Sequence, residues 1–385
     1  MRNPLSKKIT AIKPSGIRKF FDIVSEMEDA ISLGVGEPDF NTPWHIREEG
    51  IYSLERGKTH YTSNAGLKEL KVEICNYLKR RCNLEYNYND EVLVTVGGSE
   101  AIDIALRAML DDGDEVIIPQ PSYVSYEPCV VLANGVPVIV KLQEKDNFKL
   151  TKQQLLDTIT DKTKVLVMPF PNNPTGAIMT YEDLKDIVDV IIEKDIFVIS
   201  DEIYSELTYD REHVSIASFP GMKERTIVIN GFSKSYAMTG WRLGYACGPQ
   251  PIIEQMVKIH QFAIMCAPTT SQFAAVEALK NGDVDVKNMR ETYNQRRRFL
   301  MYKFKELGIP CFEPFGAFYV FPNISKFGMT SEEFAMKLLE EEKVAVVPGT
   351  AFGDCGEGFL RISYAYSIEN LKIAMEKIEN FIKKL

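Results

Sequence analysis

Residues 226–247, TIVINGFSKSYAMTGWRLGYAC, hold a single lysine between two apolar runs. The runs Thr226–Ile229 and Leu243–Cys247 are short, apolar and bounded by glycine, which predicts two buried strands. Between them, Lys234 lies among small and aromatic residues. Burial in such surroundings lowers the pKa of a lysine toward the neutral, nucleophilic amine. The stretch therefore predicts two strands joined by a loop with a reactive amine.

The flanking sequence repeats this alternation of strands with helices. Helical patterns occupy Ser99–Leu110 and Tyr181–Lys194, and the second carries apolar residues close to the helical period. Such alternation predicts an α/β fold, with a mostly parallel sheet and helices on both of its faces. The seven predicted strands are Glu91–Val96, Asp114–Ile118, Val136–Val140, Lys164–Met168, Ile196–Ser200, Thr226–Ile229 and Leu243–Cys247.

The last hundred residues have a different pattern of predicted secondary structure. A long charged helix, Val284–Leu307, is followed by short strands and two helices, which predicts a smaller α+β unit. The first forty residues contain no complete βαβ unit, so we expect them to pack with it. A chain of 385 residues exceeds the roughly 250–300 residues of a single core. We predict a large domain at 46–284 and a discontinuous small domain at 1–45 with 285–385.

Composition excludes several classes of protein. A net charge of −9 argues against nucleic acid or an anionic membrane as the partner. No apolar run is long enough for a secretory signal or a membrane span. The seven cysteines form no CxxC pair and the four histidines no HxxxH or HExxH motif, so we expect reduced thiols and no metal. A cytoplasmic location follows as an expectation.

Candidate binding residues follow the predicted strands, where open α/β sheets place ligands. Gly97-Gly98-Ser99 precede a helix and would offer an anion free N–H groups, a dipole and a hydroxyl. Tyr123 could stack on a flat ring, and Asn173 belongs to a proline-rich turn that could aim its amide into a cleft. Asp201 needs a cation or donors if it is buried. Taken singly, each residue also has an ordinary structural explanation.

The stretch around Lys234 resembles the pyridoxal-phosphate attachment signature of class I and II aminotransferases. That signature is a lysine, small residues and an arginine eight positions on, here Arg242. The resemblance runs from about Lys13 to the C-terminus and implies the type I fold of pyridoxal-phosphate enzymes. Further motifs occur in the family's order: Gly36-Glu37-Pro38-Asp39-Phe40, Tyr61, Asn173-Pro174-Thr175-Gly176, Asp201 with Tyr204, and Arg361.

The resemblance implies how the cofactor, pyridoxal phosphate, would be held. Lys234 would form a Schiff base with it, and Asp201 would pair with the protonated pyridine nitrogen. Asn173 and Tyr204 would hydrogen-bond the phenolic oxygen of the ring, on which Tyr123 would stack. The cofactor-binding set is completed by the phosphate ligands Gly98, Ser99 and Arg242, by Ser233, and by Tyr61, which in this family reaches the neighbouring subunit's phosphate. Sites shared in this way imply a homodimer.

The resemblance also implies a substrate site. Arg361 follows a strand of the smaller unit, and its fork would bind the α-carboxylate beside the N–H of Gly36. One branch of relatives that prefer acidic substrates carries a lysine in the phosphate loop where this chain has Ser99. We therefore expect aromatic or other hydrophobic amino donors and 2-oxoglutarate as acceptor, although Arg18 could supply the missing charge. Asn173 also belongs to this site, and the candidates to line the side-chain pocket are Ile17, Tyr123, Tyr319 and Phe352.

The predicted function is a ping-pong aminotransferase acting on amino and 2-oxo acids. An incoming amine would displace Lys234, which would then move a proton from the substrate's Cα to the cofactor. The same residues would serve a carbon–sulfur β-lyase, which eliminates a group from Cβ, and no residue excludes that reading. A non-catalytic ligand-binding protein on this scaffold is the third alternative. The sequence leaves the preferred substrates, assembly beyond a dimer and the extent of domain closure open.

Overall fold

The computed structural model describes residues 2–14, 16 and 29–385. Its central sheet has seven strands in the order β2-β8-β7-β6-β5-β3-β4. All neighbours run parallel except β8, which is antiparallel to both of its neighbours. The strands are β2 (Val92–Thr95), β3 (Glu115–Gln120), β4 (Val136–Lys141), β5 (Thr163–Met168), β6 (Phe197–Asp201), β7 (Thr226–Gly231) and β8 (Gly244–Cys247). The predicted α/β fold with a mostly parallel seven-stranded sheet is confirmed.

Helices cover both faces of this sheet. Alternate residues of a strand point to opposite faces. In β6, Ile199 packs into the apolar cluster that contains residues of the helices at 97–109 and 250–263. Val198 packs into the cluster on the other face, which contains residues of the helix at 181–193. The helices of the large sheet and its surroundings are α1 (Lys7–Ala11), α2 (Trp44–Glu55), α3 (Lys68–Cys82), α4 (Gly97–Met109), α5 (Tyr126–Leu132), α6 (Lys152–Thr158), α7 (Tyr181–Glu193), α8 (Gln250–Ala263) and α9 (Thr269–Asn281).

Helix α7 shows how the sequence produces these elements. Thr180 and Asp183 form a capping box, in which each side chain accepts a hydrogen bond from the other residue's backbone N–H. Leu184, Ile187 and Ile191 follow at helical spacing and are buried against the sheet. The helix therefore crosses from the end of β5 to the start of β6, so the two strands run parallel.

The C-terminal residues build a separate apolar cluster. Leu33 of the N-terminal segment is buried in it, and Ile31 pairs with Val344 in a short parallel ladder. The division into domains stays a prediction, and its boundary at 284/285 falls in the first turn of α10. The elements of this region are β1 (Ile31–Ser32), α10 (Asp283–Glu306), β9 (Tyr319–Val320), α11 (Ser331–Glu342), β10 (Val344–Ala345), β11 (Val347–Pro348), β12 (Leu360–Ser363) and α12 (Ile368–Lys383).

The predicted bounds are correct to within two residues for the seven strands, but one helix begins early. Helix α4 begins at Gly97, not at Ser99. Gly97 adopts a φ of 78°, which turns the chain directly from the strand into the helix. The two glycines therefore belong to the first helical turn, where backbone N–H groups have no partner within the helix. Among the described helices, none has the length and apolarity needed to cross a membrane.

Candidate functional site

A cavity of about 350 Å³ lies at the carboxyl ends of the central strands, a volume within the usual range for small-molecule sites. Residues from the ends of β2, β5, β6 and β7 line it together with residues of the C-terminal region. The predicted site residues that line this cavity are Gly36, Gly98, Ser99, Tyr123, Asn173, Asp201, Tyr204, Ser233, Lys234, Arg242, Tyr319 and Arg361. The tertiary structure thus gathers most of the predicted set at one place.

Lys234 lies three residues beyond β7 and is half-buried. Its Nζ donates a hydrogen bond to the carbonyl oxygen of Gly36 at 2.7 Å. Burial lowers the pKa of Lys234 to about 8; the charges of Arg361 and Arg242 act in the same direction, whereas Glu37 raises it. With this pKa roughly a fifth of the amine is neutral at pH 7.4, against roughly a thousandth at the ordinary lysine value, and the neutral amine is the nucleophile.

Asp201 is the last residue of β6 and is buried. Its Oδ2 accepts a hydrogen bond from the hydroxyl of Tyr126 at 2.7 Å, and its Oδ1 accepts one from the N–H of Ile203 at 3.2 Å. Burial raises the pKa of Asp201, and these two donors oppose that rise. Because a carboxylate has about four lone-pair sites, Asp201 retains capacity for a donor in the cavity, such as a protonated ring nitrogen.

Arg361 is the second residue of β12. The expectation that it follows a strand is therefore wrong, because it lies on the strand itself. Its Nη1 donates to Oδ1 of Asn173 at 2.9 Å, and its Nη2 donates to the carbonyl oxygen of Gly34. The guanidinium carbon lies 4.5 Å from the ring centre of Tyr319 and 4.8 Å from that of Phe352. Nε is buried and has no hydrogen-bond partner among the described residues. The packed aromatic rings hold a cation that can still bind an anion.

The N-terminus of α4 meets the guanidinium of Arg242. A Cβ atom added to Gly97 would lie 2.8 Å from Nη2 of Arg242, so only a glycine allows this approach. A Cβ at Gly244 would lie 2.6 Å from the backbone N of Gly98, so β8 also packs tightly against this turn. Nη1 of Arg242 donates to the carbonyl oxygen of Thr239 at 3.0 Å. With Ser99 in the same lining, a cation, a helix dipole and a hydroxyl converge in an arrangement that suits a phosphate.

Two tyrosines close the cavity on the side of the C-terminal region. The hydroxyls of Tyr204 and Tyr319 lie 2.9 Å apart and share a hydrogen bond. Tyr319 also explains the need for glycine at position 36, because a Cβ there would lie 2.4 Å from the Tyr319 hydroxyl oxygen. Gly36 is therefore required for space, in addition to the backbone hydrogen bond to Lys234.

Two predicted residues, Tyr61 and Phe352, are not in the lining of the cavity. Tyr61 is 81 % exposed and is not in the lining of this chain's own cavity. Ile17 lies outside the described residues, as does Arg18. The most informative residue that the sequence analysis missed is Tyr126, whose only local signal is its position three residues after Tyr123. The other lining residues that it missed are Ile102, Pro169, Pro171, Ile203 and Thr239.

The chain matches known proteins over nearly its whole length. A profile of the family "Aminotransferase class I and II" matches residues 28–378. The aspartate aminotransferase of Pyrococcus abyssi is 47% identical over 99% of this chain and 98% of its own. The crystal structure of the aromatic aminotransferase of Pyrococcus horikoshii superposes with a TM-score of 0.91 at 47% identity, over 95% of this chain and 99% of its own. The aspartate aminotransferase of Thermus thermophilus with maleate has a TM-score of 0.94 at 38% identity, over 99% of this chain and 100% of its own.

Proposed function

The chain belongs to the class I and II aminotransferases and uses pyridoxal phosphate; from this premise we propose which substrates it takes and how its residues act. It transfers the amino group of an aromatic or other hydrophobic L-amino acid to a 2-oxo acid such as 2-oxoglutarate, whose distal carboxylate would need a cation beyond those of the described lining. The two half-reactions form a ping-pong cycle through a Schiff base of Lys234. One observation carries the proposal: the amine of Lys234, whose pKa is lowered by burial, and the guanidinium of Arg361 line the same cavity.

The residues of the cavity fit pyridoxal phosphate. Arg242 at the N-terminus of α4 suits its phosphate, and Asp201 has lone pairs free for its ring nitrogen. Oδ1 of Asn173 accepts a hydrogen bond from Arg361, so the NH₂ group of Asn173 remains available to donate to the phenolic oxygen of the cofactor. When bound, the cofactor supplies an aldehyde that condenses with amines and a ring that accepts electrons from the substrate's Cα.

The chain's own groups then bind and move protons. Arg361 orients the substrate by binding the substrate's α-carboxylate. Its Nε has no hydrogen-bond partner among the described residues, and its Nη1 can release Oδ1 of Asn173 to bind the carboxylate instead. With the cofactor bound, Lys234 would be the base that takes the proton from the substrate's Cα and would return it on the cofactor side. A neutral amine is required for both its covalent and its base role, which the lowered pKa supports.

The hydrophobic preference rests on the charges of the cavity. Its described lining contains three cations, and the roles above use all of them: Lys234, Arg242 and Arg361. No further described cation in the lining is available for the side-chain carboxylate of aspartate, while Tyr123 and Tyr319 offer aromatic surface. One relative named for aspartate and one named for aromatic substrates are equally similar, at 47% identity, so the preference is argued from these side chains.

A homodimer with shared sites is part of the proposal. Tyr61 and Phe262 are each 81 % exposed, so both rings are accessible to a partner subunit. In a dimer, Tyr61 would contact the phosphate bound by the partner subunit. Mixing the Tyr61→Ala and Lys234→Ala variants tests this, because exchange of subunits would create one intact site per mixed dimer. Recovered activity supports the shared site, and a mixture as inactive as its components contradicts it.

Two further expectations belong to the same proposal. We assign 46–284 to a large domain and 1–45 with 285–385 to a small domain that closes on substrate, because Gly36 and Arg361 line the cavity that holds Lys234. The location is the cytoplasm, supported by the seven cysteines, which are all free thiols in the structure.

An absorbance spectrum of the purified protein with single amino acids, without a 2-oxo acid, tests the function. We expect phenylalanine or tyrosine, but not aspartate, to convert the visible cofactor band to a shorter wavelength in the wild type. Lys234→Ala should bind cofactor without a covalent bond and should not turn over. Pyruvate release from cysteine-type substrates would instead indicate a β-lyase. A band that no amino acid changes would indicate a non-catalytic binding protein.

A further inference from the structure

Tyr126 reaches the buried acid of the site from a distant part of the chain. It is the first residue of α5, which follows β3, whereas Asp201 ends β6. Strand β5 lies between β3 and β6 in the sheet. The Tyr126 hydroxyl therefore extends across the end of a strand to donate to Oδ2 of Asp201 at 2.7 Å.

In this pair the Tyr126 hydroxyl is the donor and the Asp201 carboxylate is the acceptor. Burial raises the pKa of Tyr126 far above its ordinary value, so the hydroxyl keeps its proton and donates. Burial also raises the pKa of Asp201, and the hydrogen bond from Tyr126 opposes this rise. The other charged or titratable groups that act on the pair are Glu202, Lys234, Tyr123 and Tyr204. The hydroxyl thus favours the ionised carboxylate in a buried position.

We propose that Tyr126 is a positioning residue for amino transfer: its hydroxyl fixes the Asp201 carboxylate with its remaining lone pairs toward the cavity and limits its affinity for a proton. The inference rests on the proposed pairing of Asp201 with the ring nitrogen of the cofactor. With the Tyr126 hydroxyl and the Ile203 N–H both donating to it, Asp201 would stay ionised and would keep the proton on the ring nitrogen of the cofactor. Without the hydroxyl, the proton moves toward Asp201 and the ring attracts electrons less strongly.

A purely structural tyrosine would behave differently. The Tyr126 ring packs in the apolar cluster between α4 and the sheet and contacts Tyr123 edge to face, with ring centres 5.7 Å apart. Phenylalanine would keep this packing and remove only the hydroxyl. The Tyr126→Phe variant therefore separates the hydrogen bond from the ring.

The chain offers a matched control for that substitution. Tyr77 is also buried, and its hydroxyl also donates to a buried carboxylate, Oε1 of Glu206, at 2.7 Å. Neither Tyr77 nor Glu206 lines the cavity. Tyr77→Phe therefore measures what the loss of such a hydrogen bond does to the protein when no cofactor is involved.

The experiment compares wild type, Tyr126→Phe and Tyr77→Phe, each loaded with pyridoxal phosphate, in a pH titration of the visible absorbance. We expect Tyr126→Phe to move the midpoint upward by about one pH unit, because loss of positive charge on the ring makes the Schiff-base nitrogen more basic. Its kcat should fall about tenfold with little change in the KM of the amino acid, since Arg361 is untouched. Tyr77→Phe should retain the wild-type midpoint and kcat.

Three outcomes with the two tyrosine variants would overturn the inference. These are a Tyr126→Phe midpoint equal to that of wild type, an equal shift in Tyr77→Phe, or a rise in KM without a fall in kcat. Thermal unfolding of the cofactor-free variants shows whether both fold. Failure of the proposed function is distinguishable, because the wild type itself would then show no amino-acid-dependent band. Asp201→Asn should shift the midpoint further than Tyr126→Phe, and an unshifted Asp201→Asn would also contradict the inference.

Discussion

The guanidinium of Arg361 donates a hydrogen bond to Oδ1 of Asn173 at 2.9 Å, although 188 residues separate the two in sequence. Asn173 lies in the turn after β5, and Arg361 lies on β12 of the C-terminal region. The bond joins the group that we propose for the substrate's carboxylate to the group that we propose for the cofactor's phenolic oxygen. The two ligands would therefore be held in a defined relative orientation, as amino transfer requires.

Arg361→Lys should weaken substrate binding although it keeps the charge. Lysine cannot reproduce a planar fork between Tyr319 and Phe352. We expect kcat/KM for the amino acid to fall by at least about 30-fold, which corresponds to ~2 kcal/mol for a buried charge pair. Steady-state kinetics on both substrates measures this. Arg298→Lys, at a side chain that is 66% exposed, is the control, and equal kinetics in the two variants would refute the role.

The lowered pKa of Lys234 predicts how its reactivity depends on pH. In the cofactor-free protein, trace acetylation of Lys234 should rise with pH through a midpoint at about 8 and then level off, because only the neutral amine reacts. Mass spectrometry measures the labelling, with exposed Lys145 as reference for the reagent. Glu37→Gln should move the midpoint lower, since the carboxylate favours the ammonium form. A midpoint near 10.5, the ordinary value for lysine, would contradict burial as the cause.

Gly36→Ala should damage the site by crowding. The added Cβ would lie 2.4 Å from the Tyr319 hydroxyl oxygen and displace the hydroxyl that Tyr204 contacts. We expect a loss of about 1–3 kcal/mol in the free energy of unfolding, together with reduced kcat/KM. Denaturant unfolding and kinetics report the two effects. Gly240→Ala is the matched control, because a Cβ there has no atom within 4 Å; an equally large loss in that variant would exclude crowding as the reason.

Ser99→Lys should shift the substrate preference toward aspartate. The substitution adds a cation to a cavity whose described cations already have proposed ligands. We expect the ratio of kcat/KM for aspartate to that for phenylalanine to rise about tenfold, equivalent to ~1.4 kcal/mol. Ser99→Gln has a long neutral side chain and controls for the loss of the hydroxyl. If glutamine raised the ratio as much as lysine, charge would not be the cause.

Local pattern was sufficient to predict much of this architecture. The strands of the central sheet are short apolar runs, and each prediction is correct to within two residues because hydrophobic periodicity is a property of neighbouring residues. The observed start of α4, Gly97, is two residues before the predicted start, Ser99. Glycine is a poor helix former, so the sequence pattern did not include Gly97 and Gly98 in the helix. The φ of 78° at Gly97 turns the chain into the helix at that residue. Tyr126 was missed because one tyrosine near another carries no local sign of a distant acid.

The sequence alone determined the order of strands and helices and the residues that follow each strand, since both depend on local spacing and side-chain type. It also placed Lys234 between two buried strands, where an amine loses water. Only the tertiary structure decided that Tyr126 meets Asp201 and that Arg361 meets Asn173, at sequence separations of 75 and 188 residues. Such contacts depend on how strands order themselves in the sheet and how the C-terminal region packs on it, and no local pattern encodes that geometry.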